Sequence, residues 1–190
     1  MAEKKKIGIG LTGSFCTLSK VLDALSLLQG KYELYPLMSD AVYKNNTRFG
    51  TSEHFKERLM GICGREIWHT VSQAEPIGPK ELLDALVIAP CTGNTLAKLA
   101  LGVTDTAVTM AAKATLRNER PIIVGLSTND ALGGAARNIG ALQANRHYYF
   151  IPYGQDDPFS KPRSCVAHFD LLEQTLEKAL AGEQLQPILV

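Results

Sequence analysis

The sequence has no apolar run approaching the roughly 18 residues that cross a bilayer, and its amino-terminal MAEKKK is too short and too polar for a secretory signal. A soluble, cytoplasmic protein with no membrane role is expected. Neither sign of charge is in excess: 20 Lys and Arg against 19 Asp and Glu leave +1, which removes the broad basic surface needed to neutralise a phosphate backbone. Nucleic acid is therefore excluded as a main partner. Cysteine is scarce as well. Cys16, Cys63, Cys91 and Cys165 lie far apart, form no C-x-x-C pair and have no histidine at metal-ligand spacing, so no metal site is expected. Disulfides are unusual in a reducing cytosol, and Cys16 and Cys63 read as small apolar fillers. There is no internal repeat or low-complexity tract.

What is present is enough for one domain: 190 residues can bury a real core. Short runs rich in Ile, Val and Tyr alternate with longer stretches of helical period, the pattern of strand-helix units around a mostly parallel sheet. The fold expected is α/β, a three-layer, Rossmann-like (flavodoxin-like) doubly wound parallel sheet in a single domain over 1–190. Its core spans about 5–152, and a loop with a final helix fills 153–190. Strands are expected at Lys6–Thr12, Tyr32–Met38, Ala85–Pro90, Pro121–Leu126 and Tyr148–Pro152, with a short one near Ile67–Thr70. Helices are expected after a Ser14 cap and ending at Gly30, from Glu53 to Ile62 behind Ser52, and in PKELLD. Three more are expected in NTLAKLALG, from Asp105 to Asn118, and, bent by Gly133, Gly134 and Gly140, in ALGGAARNIGALQ. YGQDDPFSKPRS reads as an excursion loop before a helix from Cys165 to about Ala181.

Gly8, Gly10 and Gly13 have the G-x-G-x-x-G spacing of a dinucleotide turn. That turn requires a strand to end before its first glycine, and here only Ile7 separates Gly8 from a lysine run. The strand must run through Gly8 and Gly10, leaving a turn at Thr12–Gly13–Ser14. No acidic residue ends the second strand to bind a ribose, since Glu33 begins it and Asp40 lies beyond it. Two readings of the turn remain. Outward amides at a helix start with a serine hydroxyl suit a phosphate monoester, and any strand-helix turn also favours Gly and Ser.

The stretch from Asp84 to Thr109, DALVIAPCTGNTLAKLALGVTDTAVT, separates them. A buried strand ends in Pro90, Thr92, Asn94 and Thr95, small hydrogen-bonding residues at the sheet edge where ligands bind in open α/β folds. Here the chain resembles the flavoprotein family of homo-oligomeric, flavin-containing cysteine decarboxylases. APCTGNTLAKLALGVTD stands where that family has Ala-Pro, a small-residue loop with Asn-Thr and a helix. GLTGSF matches the family's opening turn, and PLMSDA its serine after the second strand. The resemblance implies an FMN site formed by Gly13, Ser14, Ser39, Thr92, Asn94 and Thr95. It also implies a homo-oligomer of trimers, or a dodecamer of four trimers, with the flavin at the contact between chains. The alanine-rich segment from Asp105 to Asn118, with small residues on several sides, reads as a helix buried between chains.

The chain departs from the decarboxylases at two places. AEPIGPKELLD has no histidine where they carry one, and LSTNDALGG keeps only Asn129 of their Pro-x-Met-Asn clamp. STNDALGGAARNIGAL and YYFIPYGQDDPFSKPRS instead resemble the flavoprotein-like chains of two-component, dipicolinate-forming oxidoreductases of spore-forming bacteria. What this implies is removal of two hydrogens from a dihydro- or hydroxytetrahydrodipicolinate during sporulation, with NADP or NAD carried by the partner chain. A planar dicarboxylate calls for arginine forks and amide donors. Asn129, Arg137, Asn145 and Arg146 are the candidates, with Asn138, Lys161 and Arg163 beside them. His147, His168, Asp130 and Asp157 are candidate bases by type, and none is singled out by spacing. Cys91 beside the flavin loop is expected to be inert. Two alternatives are a non-catalytic flavin- or phosphate-binding partner chain and an FMN-dependent decarboxylase.

Overall fold

Strands β1 (Lys6–Leu11), β2 (Glu33–Met38), β3 (Ala85–Cys91), β4 (Ile122–Thr128) and β5 (Tyr148–Phe150) are near-continuous apolar runs. Such runs form parallel sheet because helices cover both faces and leave no side polar. The computed structural model describes residues 3–190. Within the sheet Ile7 pairs with Leu34 of β2 and Ala85 of β3, Val87 with Ile123, and Ile122 with Tyr148. The parallel order is thus β2-β1-β3-β4-β5, doubly wound, and the crevice of such a sheet opens at the carboxyl ends of β1 and β3, where the order reverses.

The helices are α1 (Leu18–Ser26), α2 (Asp40–Lys44), α3 (Ser52–Cys63), α4 (Val71–Ala74), α5 (Gly93–Leu101), α6 (Ala107–Arg117), α7 (Ala136–Gln143) and α8 (Leu172–Leu180). One layer has α1 packed against α3 and α8; the other has α6 against α4 and α5, and α5 against α7. Helix α6 lies across β1, β2, β3 and β4, and Ala107, Val108, Ala111, Ala112 and Ala114 are all buried within this one chain. Its small residues are therefore accounted for without a second chain, contrary to the sequence reading. Gly10 belongs to the same packing: a Cβ there would stand 3.0 Å from Val108. Gly8 and Gly10 are strand glycines, as the position of the lysine run requires.

Several boundaries differ from expectation for local reasons. Ser14 makes no cap bond; Phe15–Thr17 form a 3₁₀ turn and α1 begins at Leu18. Burial of Leu18, Val21, Leu22 and Leu25, each contributing about 1.5–3 kcal/mol, outweighs a missing cap of about 1 kcal/mol. The cap of α3 is Thr51, whose hydroxyl accepts the His54 amide at 3.2 Å, rather than Ser52. PKELLD is turn, because the helical residues come earlier, behind a Thr70–Gln73 capping box, and Glu81 takes a left-handed φ of 47° as the chain bends into β3. The short strand near Ile67–Thr70 reduces to a bridge between Leu37 and Trp68.

The carboxyl-terminal part differs most. Gly133 and Gly134 precede α7 in a turn, where a Cβ on either would run into the Asp130 carboxylate. The excursion loop is bounded by a pair of strands, β6 (Tyr153–Gly154) and β7 (Cys165–Ala167), and β7 pairs antiparallel with the end of β4, Val166 opposite Ser127. Cys165 thus starts a strand, and α8 starts only at Leu172. Cys16 is exposed rather than a filler. Among the described residues no helix is long and apolar enough to cross a membrane.

Candidate functional site

Three strand ends converge at the carboxyl edge. The Thr12 hydroxyl, buried after β1, donates to the carbonyl of Pro90 at 2.7 Å and accepts the amide of Thr92 at 3.0 Å, tying the β1 turn to the β3 turn. The Ser14 and Ser127 hydroxyls lie 2.7 Å apart, and the Thr17 hydroxyl lies 3.2 Å from Ser127, tying the β1 turn to the end of β4. Gly93 completes the contact between β3 and β4, since a Cβ there would stand 2.8 Å from the Thr128 hydroxyl.

These turns wall a cleft of about 490 Å³ whose lining includes Gly13, Ser14, Thr17, Thr92, Ser127 and Asn129, within the size range of small-molecule sites. Phe15 and Phe49 supply apolar wall. Lys161 and Asp156, 3.5 Å apart, come from the excursion loop. A second cleft of about 690 Å³ lies between α1 and the β6–β7 pair; it shares Lys20, Asp156 and Val166 with the first and contains His168.

The donors of the first cleft can be counted. The Ser14 amide is taken by the Thr12 carbonyl at 2.8 Å, the Thr17 amide by the Ser14 carbonyl at 3.1 Å, and the Thr95 amide by its cap Thr92 at 3.2 Å. At the start of α5 the amides of Gly93 and Asn94 have no intrahelical acceptor by helix geometry, and they carry the positive end of the helix dipole. With the Ser14 hydroxyl, which is free to donate when Ser127 donates to it at 2.7 Å, they make a donor set suited to a phosphate monoester. The Thr17 hydroxyl is spent on the Ser14 carbonyl at 3.0 Å. The donors at the start of α5 fit the phosphate end of a mononucleotide. Ser39 follows β2, its amide donates to Leu11 at 3.0 Å, and its buried hydroxyl has no partner among the described residues, but it lies outside the lining of this cleft.

Of the six positions expected to meet a cofactor, Gly13, Ser14 and Thr92 line the cleft; Ser39, Asn94 and Thr95 do not. Thr95 is buried, capped by Thr92, which also donates to its hydroxyl at 3.1 Å, and Asn94 is exposed in the first turn of α5. Of the substrate candidates, Asn129 lines the cleft and meets Ser164 at 3.4 Å. Arg137 is exposed in the first turn of α7 at the same edge. Asn145 and Arg146 are brought to the opposite, amino edge, because they follow α7 and precede β5. There Asn145 accepts the amide of His147 at 3.3 Å, so these two are separated from the cleft and His147 with them.

The remaining acid–base candidates are placed as follows. Asp130 folds into its own turn against Gly133 and Gly134. Asp157 accepts the Ser160 amide at 2.9 Å, and this bond holds its carboxyl below the ordinary range. Cys91 is wholly buried, and burial pushes its thiol far above the usual range, which fits the inert role expected of it. Thr17, Lys20, Ser127 and Thr128 line the cleft although the sequence pattern does not single them out. A signal for Ser127 and Thr128 exists: they end a strand at the ligand edge, but the apolar run that marks β4 stops at Leu126.

A model of the flavoprotein family matches residues 1–152. The chain is 50% identical over 187 residues to the B subunit of dipicolinate synthase from Bacillus subtilis (strain 168), covering 98% of this chain and 94% of that protein. The crystal structure of the dipicolinate synthase B subunit from Bacillus halodurans C superposes with a TM-score of 0.90 at 45% identity, covering 98% of this chain and 96% of that one. The FMN-dependent cysteine decarboxylase SpaF shares the fold, with a TM-score of 0.68 at 18% identity over 95% of this chain and 97% of its own.

Proposed function

The chain belongs to the flavoprotein family, and from that premise we propose that it is the flavoprotein-like component of a dipicolinate-forming oxidoreductase, acting with a partner like the A subunit of dipicolinate synthase. The observation that carries this reading is the 50% identity to the Bacillus subtilis protein over 98% of the chain. The similarity runs through the excursion loop as well as the family-matched 1–152, and that loop brings Lys161 to the cleft.

The reaction removes two hydrogens from dihydrodipicolinate, one as hydride and one as a proton, leaving the aromatic pyridine-2,6-dicarboxylate. A hydroxytetrahydrodipicolinate first loses water. NADP or NAD held by the partner would supply the hydride acceptor. FMN is proposed as the ligand of the carboxyl-edge cleft, where it would supply a two-electron carrier. The Ser14 hydroxyl and the amides opening α5 would hold its phosphate, with Thr92, its amide given to Thr12 and its hydroxyl to Thr95, fixing that turn. Asn129 and Lys161 are the donors placed to orient a carboxylate, with Arg137 at the rim of the same edge.

One observation favours a second reading, a non-catalytic chain that shapes its partner. None of His147, His168, Asp130 and Asp157 lines the first cleft. Mixing experiments test whether both chains are needed, and loss of activity in the mixture with Asn129→Ala and Lys161→Ala variants that still assemble with the partner separates a chemical role from a shaping one. Dipicolinate formation should be absent with either purified chain alone and appear on combining them; a partner as active alone as in the mixture would contradict the proposal. The assembly is proposed to be a homo-oligomer, trimer or dodecamer. Leu101 and Val103, exposed at 77% and 40% at the end of α5 and just beyond it, would be covered in it.

A further inference from the structure

The amino edge of the sheet carries a row of charges set by register. Leu86, Ile122 and Tyr148 pair across β3, β4 and β5, and the residues two positions before them are Asp84, Arg120 and Arg146. Neighbouring strands are about 4.8 Å apart, so the two arginines lead into adjacent strands from separate crossovers. Asp84 is held by Lys5 at 3.2 Å and the Lys6 amide at 2.9 Å, and it also feels the charge of Arg120 without pairing with it. Neither Arg120 nor Arg146 makes an ion pair among the described residues.

Around them lies a predominantly polar cleft of about 350 Å³ lined by Lys5, Asp84, Glu119, Arg120, Arg146 and His147, among others. Two carboxylates stand against three fixed cations, so the cleft keeps one positive charge with His147 neutral. The end of α8 also reaches it, but the carbonyls of Glu177, Lys178 and Ala179 are taken by the amides of Ala181, Glu183 and Gly182. Like charges leading into adjacent strands are unfavourable without a counter-ion, and guanidinium forks match carboxylates in geometry.

We propose that Arg120 and Arg146 form a binding site for a small dicarboxylate at the amino edge, distinct from the carboxyl-edge cleft, each arginine taking one carboxylate. This site does not depend on the reaction proposed above, and its failure would leave that proposal standing.

Isothermal titration of the purified chain with pyridine-2,6-dicarboxylate tests it, with pyridine-2-carboxylate and inorganic phosphate as separate arms. Saturable binding of the dicarboxylate is expected, weakened about tenfold or more by Arg120→Gln and by Arg146→Gln, and unchanged by Arg117→Gln, an exposed arginine outside the cleft. Both arginines are exposed, and circular dichroism confirms that the variants fold. No saturable binding at millimolar ligand, identical isotherms for the arginine variants, or equal affinity for the monocarboxylate or phosphate would overturn the proposal.

Discussion

The hydroxyls of Ser14 and Ser127 meet at 2.7 Å across 113 positions of chain, so the turn after β1 and the end of β4 are one structural unit. Ser127 is 4% exposed and also reaches Thr17. Ser127→Ala is expected to cost about 1–2 kcal/mol in urea unfolding, and Ser14→Ala less, because water replaces the lost partner at the cleft surface.

Thr12 links the other pair of turns. Thr12→Val keeps the shape but leaves the Pro90 carbonyl and the Thr92 amide without their partner. Equilibrium unfolding should show a loss of about 2–4 kcal/mol; a loss within error of zero would mean that the turns are held by backbone geometry alone.

Gly93→Ala would place a methyl 2.8 Å from the Thr128 hydroxyl oxygen. Destabilisation of about 1–3 kcal/mol is expected, relieved in part by adding Thr128→Ala. A double-mutant cycle on melting measures the coupling, and strict additivity would show that the close approach is not what makes glycine necessary.

The thiols should differ in reactivity. Burial pushes Cys63 up to about 12 and holds Cys91 and Cys165 as buried thiols above their ordinary value, whereas Cys16 is exposed. An excess of a disulfide reagent at mildly alkaline pH should modify one thiol quickly, lost in Cys16→Ser, and the other three only on unfolding.

Asp84 ties stability to acid pH. Burial works to raise its pKa, but the Lys6 amide and the Lys5 ammonium outweigh it and the net shift is downward. With the folded value below the unfolded one of about 3.9, its contribution is complete above about pH 4 and is lost as pH falls through the folded value. Asp84→Asn should lower stability by no more than about 1 kcal/mol at neutral pH, since solvent screens the pair, and have less effect in strong acid.

The sheet was legible in the sequence because apolar runs bounded by Gly, Pro and Ser leave few alternatives. The turns at Gly13–Ser14 and after Pro90 were legible as turns because Gly, Ser and Thr follow apolar runs there, and they meet at one edge because β1 and β3 are neighbours in the sheet. What failed was context. Arg146 and Asn145 have the chemistry for a dicarboxylate, but they follow α7 and precede β5, which delivers them to the amino edge, away from the carboxyl-edge cleft. Cys165–Ala167 alternates in burial with a period of two, too short a run to distinguish from the start of a helix. Lys161 meets the cleft from the excursion loop, whose far end is tied down by pairing of β7 with the end of β4, a contact between distant segments that no local pattern announces.

The claim on which the functional reading rests is that the carboxyl-edge turns recognise a phosphate monoester. Titrating the purified chain with FMN and, separately, with riboflavin, following flavin fluorescence, tests it most directly. Saturable binding of FMN, more than about tenfold tighter than riboflavin and reduced by Ser14→Ala, is the predicted result. Equal binding of the two flavins, or no binding of FMN, would contradict it.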